Sequence, residues 1–335
     1  MKRNAVRWTL VAFAVVAAIV VLAVVLNQSG PRGAGFSAKR VVINEAVHTL
    51  LYLPLYHAQH QGYFTDEGLQ VEIVTGGTAT NSFAAMLSGE AQFSQADPMY
   101  VPISREQGSD AKVVAQVVGR IAVWGLSTDP QRKWETAEVR DARISTHPRP
   151  MTAYVYTREA VKALGLNPDT DVDILQGQPG TELAPLLNGQ AQFAFTLEPG
   201  TSQATSQGAS VVYSFPQELG DRVFTGLLTK ESYISHNRST VLGVVRAYQR
   251  ALDDLHANPE NGLATARAFF PQLDDSVLRR AIERMLSEEV IPTSVLIPDA
   301  SWQQAIAVRV AAGDLTTPMA RDVACDLAIM KNATE

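Results

Sequence analysis

Two nearly identical phrases in this chain each end in an acid and a proline. Leu87-Ser-Gly-Glu-Ala-Gln-Phe93 runs on to Asp97-Pro98, and Leu187-Asn-Gly-Gln-Ala-Gln-Phe193 runs on to Glu198-Pro199. Each reads as a helix closed by its glycine, a short strand from Ala-Gln-Phe, and an acidic turn at the strand's far end. A carboxylate there can accept a hydrogen bond from an amine or ring N–H. Equally, Asp97 can serve only as the cap of the next helix, and Glu198 with its proline can be structural.

The other polar turns fall at similar places. After the first strand come His48, Thr49 and Tyr52, two polar groups and a ring; His48 is either a ligand contact or a loop histidine bonded to backbone. Gly76-Gly-Thr-Ala-Thr-Asn81 lets backbone come close and opens a helix whose N–H groups suit a carbonyl or an anion. Thr78, Thr80 and Asn81 are its candidate contacts, against a plain helix cap. No Gly-Lys-Ser/Thr follows, so it is not a phosphate loop. His147-Pro-Arg-Pro-Met-Thr152 mirrors that turn, offering His147, Arg149 and Thr152; a solvated arginine is the bland alternative. Trp124 either stacks on a planar ligand or fills a core. His57 and His60 share a helix face that reads as external, and neither cysteine nor carboxylate completes a metal site with them. No metal, cofactor or catalytic constellation is expected.

Positioning these turns requires alternating strands and helices. Strands are read at Val41–Asn44, Leu69–Val74, Lys112–Val118 with an extension over Ile121–Leu126, Arg143–Thr146, Asp173–Leu175 and Gln192–Thr196. Helices are read over Leu53–Gln61, Gly76–Leu87, Met151–Leu164 and Thr181–Leu187. The alternation is the doubly wound α/β pattern, in which ligands bind beyond the carboxyl ends of strands. Phe224–Thr229 reads as a strand returning to the first lobe. The last third is helical: Ser239 as a cap for a helix to His256, Asn258-Pro-Glu as a further helix start, then Leu273–Met285, Trp302–Ala312 and Met319–Met330. Lobe 1 is therefore assigned 40–126 and 223–335, and lobe 2 127–222, with two crossings between them.

Composition limits the function. The 335 residues are 46% hydrophobic with a net charge of −6, enough for two cores and without a basic block outside the N-terminus, which argues against nucleic acid. Lys2, Arg3 and Arg7 precede an apolar run from Trp8 to Leu26, close to the ~20 residues that span a bilayer. Residues 1–26 are thus expected to be an uncleaved anchor or a signal, and 27–39 a linker, with the remainder outside the cell membrane. No cysteine follows the run, which excludes a lipid anchor; the single cysteine is Cys325.

The segment Gly62-Tyr-Phe-Thr-Asp-Glu-Gly-Leu-Gln-Val71 resembles a signature of one group of solute-binding proteins of ABC importers, those for sulfonates, nitrate and thiamine-pyrimidine precursors. Leu87–Phe93 and Ala264–Phe270 resemble its further landmarks, so the likeness covers about residues 41–270. Gln92 and Gln192 stand where the group often has aspartate, and are read as structural. The resemblance implies a type II periplasmic-binding clamshell that captures a small solute between its lobes, closes, and docks as a monomer on an ABC permease and its ATPase. The same group includes the fungal thiamine-pyrimidine synthases, which use a cysteine-rich motif absent here. That enzyme and a ligand-sensing ectodomain are the alternative functions. The cleft acids and rings lean toward a planar heterocycle such as a pyrimidine or flavin precursor; a sulfonate or nitrate would need Arg149 or His147 to face the cleft.

Overall fold

The computed structural model describes residues 38–149, 151–178 and 180–335, and the expected membrane segment lies outside them. Among the described residues no helix is long and apolar enough to cross a membrane. Lys39–Glu335 forms one compact unit.

Its ten strands make two mixed sheets. The first contains β1 (Lys39–Glu45), β2 (Leu69–Thr75), β3 (Phe93–Ala96), β4 (Ala111–Arg120) and β10 (Asp221–Lys230), in the order β2-β1-β3-β10-β4. The second contains β5 (Trp124–Ser127), β6 (Arg143–Thr146), β7 (Asp173–Gln176), β8 (Phe193–Thr196) and β9 (Ser210–Ser214), in the order β7-β6-β8-β5-β9. In each sheet three neighbouring strands run parallel, one antiparallel strand (β10 or β5) flanks them, and beyond it an outer strand (β4 or β9) runs in their direction again. The two sheets thus repeat one plan.

The repeated phrase is the device behind that plan. Gly89 and Gly189 both take positive φ, 89° and 72°, and end their helices where a side chain would be strained. Gln92 and Gln192 then do the same work. The N–H of each donates to a first-strand carbonyl, Val42 and Arg143 respectively, both at 3.0 Å. The side-chain oxygen of each accepts the N–H of that same residue at 2.8 Å. Each glutamine therefore extends the ladder by one rung beyond the strand proper.

Both faces of the first sheet are covered. One core gathers Ile43, Phe93 and Val114 under the helices Leu53–His60, Glu231–Ala257, Pro259–Phe269 and Asp275–Ser287. The other gathers Val113 and Leu228 with Phe83, Trp302 and Met330. Phe193 and Phe195 anchor the second sheet's main core against Tyr156 and Phe215.

Several boundaries differ from the sequence reading. Trp124–Ser127 does not extend β4; it pairs with β8 and β9 in the second sheet. Both runs are buried and apolar, and hydropathy cannot say which sheet buries them. The chain passes to the second sheet between Arg120 and Trp124 and returns between Ser214 and Asp221. The long C-terminal helix starts at Glu231 rather than at a Ser239 cap, with non-helical dihedrals at Asn237 (φ −137°, ψ 32°). Met319–Met330 is two short helices, Arg321–Ala324 and Leu327–Asn332, divided where Cys325 bridges to Val113. The expected Thr181–Leu187 helix is regular only over Ala184–Leu187.

Candidate functional site

The carboxyl ends of the two parallel strand sets meet. Thr49, beyond β1, donates from its hydroxyl to the carbonyl of Glu198, beyond β8, at 3.2 Å. Thr152, which opens the helix Thr152–Ala163 after β6, donates to Asp97 Oδ2, beyond β3, at 3.2 Å. Four residues from the sequence reading therefore bridge the lobes directly.

Each repeated acid is taken by an arginine that the sequence reading did not single out. Arg309, from the helix Asp299–Ala311, pairs with Asp97 Oδ2 and lies 3.4 Å from Thr152 Oγ1. Asp97 is not the cap of the next helix, whose N-cap is Met99 without a side-chain bond, but its Oδ1 accepts the N–H of Met99 at 2.9 Å. Arg284, from the helix Asp275–Ser287, donates from Nε to Glu198 Oε1 at 2.8 Å. Glu198 is fully buried and also accepts from the Ser202 N–H and hydroxyl, both at 3.0 Å. Burial pushes its carboxyl above the usual range, against the pull of Arg284 and Ser202.

Deeper in lobe 1, buried Glu45 accepts from Tyr56 Oη at 2.5 Å and Thr75 Oγ1 at 2.8 Å. His48 uses both ring nitrogens there. Nδ1 lies 3.1 Å from Glu45 Oε1, and Nε2 lies 3.1 Å from the carbonyl of Phe269. The ring also stacks on Phe270 with centroids 4.6 Å apart, so the structure holds it within its own lobe. Tyr52 is buried among Thr225, Glu45 and Asp97, and burial raises its phenol. Thr78 caps the Ala79–Ser88 helix by accepting from the Asn81 N–H at 3.1 Å, while Asn81 donates to the Gly76 carbonyl at 3.1 Å. Thr80 bonds Tyr100 at 3.0 Å. All three remain exposed. Gly76 fits because a Cβ there would stand 2.6 Å from Asn44 Oδ1 and 3.0 Å from the Ser82 nitrogen.

In lobe 2, His147 is buried with its Nε2 3.6 Å from Glu182 Oε1. Burial lowers its pKa and Glu182 only partly opposes this, so the ring is neutral at pH 7. Arg149 folds onto its own lobe, donating to Tyr154 Oη at 2.8 Å with its guanidinium 4.8 Å from that ring's centroid. Trp124 is fully buried and donates its indole N–H to Glu288 Oε2 at 2.9 Å; Ser214 Oγ reaches the same oxygen at 2.5 Å.

The external face expected for the histidine pair holds for His60, which is exposed, and fails for His57. His57 is not on an external face but fully buried, between Thr265 Oγ1 at 2.8 Å and Asp254 Oδ2 at 2.7 Å. The long C-terminal helix covers that face, and nothing near residue 57 announces a partner almost two hundred positions away. Among the described residues no cluster of three metal-ligating side chains forms.

Two α/β sheets whose strand ends meet through these polar bridges place the chain among two-sheet α/β folds with facing strand ends. The chain belongs to the NMT1/THI5-like family, whose model matches residues 51–262. It is similar to YtlA of Bacillus subtilis, which bears the name of a binding protein, at 21% identity over 79% of this chain and 80% of that one. It is also similar to the riboflavin-binding protein RibY of Chloroflexus aurantiacus, at 24% identity over 70% of this chain and 68% of RibY. Among solved structures, the ligand-binding component of an ABC-type import system from Staphylococcus aureus superposes with a TM-score of 0.73. That match is 14% identical and covers 88% of this chain and 99% of the other.

Proposed function

We propose that this protein is the extracytoplasmic solute-binding component of an ABC importer. It captures a small organic solute between lobes 1 and 2, closes as a clamshell, and delivers the solute to a permease powered by its ATPase. The observation that carries this reading is the set of bonds across the cleft, Thr49 to Glu198, Thr152 to Asp97 and Arg284 to Glu198. The first two join groups beyond opposed strand ends and the third ties a lobe 1 helix to one of them, and each must break when the lobes part. The names of the relatives support the same class.

The charge balance favours a neutral planar solute over an anion. Arg284 and Arg309 already neutralise Glu198 and Asp97, Arg149 is committed to Tyr154, and His147 is uncharged. A sulfonate or nitrate entering beside Asp97 or Glu198 meets a carboxylate whose arginine is already committed to it, which costs rather than stabilises. The riboflavin-binding relative is consistent with a heterocycle. Cysteine chemistry of the synthase kind finds no support, because Cys325 is buried and burial pushes its thiol up to about 12.

The test is a thermal-shift screen of residues 39–335 against pyrimidines, flavins, sulfonates, nitrate and amino acids. A ligand that binds only the folded state raises stability by ~2.7 kcal/mol at a hundredfold excess over Kd. A shift with heterocycles alone is expected. A shift with sulfonate or nitrate alone overturns the substrate class, and no shift with any solute overturns the binding function.

A further inference from the structure

We propose that Asp97, Arg309 and Thr152 form a specificity subsite that reads an N–H/C=O edge, the imide or cis-amide edge of a ring, on the captured solute. This rests on the solute-binding reading above and narrows its substrate class.

The argument starts from which atoms are already committed. Asp97 Oδ1 is held by the Met99 N–H at 2.9 Å, and Arg309 Nη1 by Asp314 Oδ2 at 3.0 Å. Both groups are thus fixed from behind, leaving Asp97 Oδ2 and Arg309 Nη2 paired at the cleft, with the Thr152 hydroxyl against both. An acceptor and a donor standing side by side are complementary to a group that offers a donor and an acceptor side by side. A ring N–H next to a carbonyl does so; a simple anion is repelled by Asp97 and a simple cation by Arg309.

The surroundings fit a ring. The three polar groups close one end of a pocket whose other walls include Ile121, Val155, Tyr156, Phe224 and Val308. Those walls come from lobe 1, lobe 2 and the first crossing segment, so the hinge angle sets the pocket's size. In the arrangement described it encloses about 20 Å³, room for about one water, and a ring enters only as the lobes part.

The test measures binding of riboflavin against 3-methylriboflavin, and 1-methyluracil against 1,3-dimethyluracil, by calorimetry on residues 39–335. N-methylation removes the donor and keeps the ring. We expect the parent of at least one pair to bind about 10–100-fold tighter than its methyl derivative. In Asp97→Asn and Arg309→Gln, each checked for an intact urea transition, that ratio collapses to within about threefold. Equal binding of parent and methyl forms, or a ratio that survives both substitutions, overturns the subsite while leaving solute binding intact. Binding of taurine or nitrate with neither heterocycle overturns it in the same way. Absence of binding by all of these probes, with no hit in the wider screen, overturns both readings.

Discussion

Arg284→Met should loosen the closed arrangement of the lobes without unfolding either one. Arg284 sits on a helix whose Leu278, Ile282 and Met285 belong to the first lobe's core, whereas Glu198 belongs to the second lobe. Were the lobes locked together, removing one partner of a buried pair would cost about 3–5 kcal/mol. They have a cheaper route. When they part, Glu198 gains water and keeps both Ser202 bonds at 3.0 Å. The closed arrangement then loses about 1.5–3 kcal/mol, the worth of a hydrogen bond between charged groups, which is roughly 10–150-fold in closing and in ligand affinity. The variant should also acquire a pH dependence of known sign. Burial raises Glu198, and removing Arg284 deletes a pull in the other direction, so its closed-state pKa rises further above the ~4.3 of a hydrated glutamate. The closed form then takes up a proton. Closing is helped fully below the hydrated value, and the help is lost as pH rises through the closed-state value. Small-angle scattering with calorimetry at pH 5 and 7.5 measures both effects. An unchanged radius of gyration and an unchanged affinity at both pH values would refute the reasoning.

Acid sensitivity should come from His57 and His147, both depressed by burial. A depressed pKa supplies stability that is whole above ~6.5 and lost as pH falls toward the folded value. The wild-type urea midpoint should therefore fall more steeply from pH 7.5 to 5.5 than that of His147→Gln; superimposable profiles count against it. Gly76→Ala forces a Cβ to within 2.6 Å of Asn44 Oδ1 and 3.0 Å of a backbone nitrogen, and should cost about 1–3 kcal/mol in urea unfolding. Gln92→Ala strands the Val42 N–H in a part-buried bond and should cost about 1–3 kcal/mol, whereas Gln192→Ala frees a more exposed Arg143 N–H to water and should cost under ~1 kcal/mol. Equal losses would show that the two glutamines are not doing the ladder work assigned to them.

The strand-helix alternation and the repeated phrase were legible because they are local: a glycine at positive φ, a glutamine one rung before a strand, an apolar period. Thr49, Asp97, Thr152 and Glu198 could be nominated because strand ends are where an α/β sheet exposes its turns. What brings them together is not local. Arg309 and Arg284 lie on helices anchored by Trp302 and Ile306 on one and by Leu278 and Ile282 on the other, and nothing in those residues says which acid each arginine will meet. His57 illustrates the same limit, since a helical face is external or internal only once the element that covers it is known. Membership of Trp124 in the second sheet was hidden for a related reason: the hydropathy of Lys112–Leu126 is nearly continuous while its pairing partners change.

The asymmetry between the two repeated acids has a functional consequence. Two similar lobes by themselves give no reason for one side of a cleft to behave differently from the other. The C-terminal helices supply one, because both arginines come from lobe 1. Asp97 and Arg309 belong to the same lobe, so their pair survives whatever the hinge angle, and its geometry stays fixed for a ligand to meet. Glu198 and Arg284 belong to different lobes, so their pair is remade at every closing. A carboxylate that alternates between water and a buried guanidinium carries a charged closing contact, whereas Asp97 keeps its arginine throughout and gains on closing only the neutral Thr152 hydroxyl. The Asp97 side is therefore suited to discriminating solutes and the Glu198 side to setting how tightly the lobes close. Variants should separate accordingly, with Arg309→Gln changing which solute is preferred and Arg284→Met weakening all solutes by a similar factor.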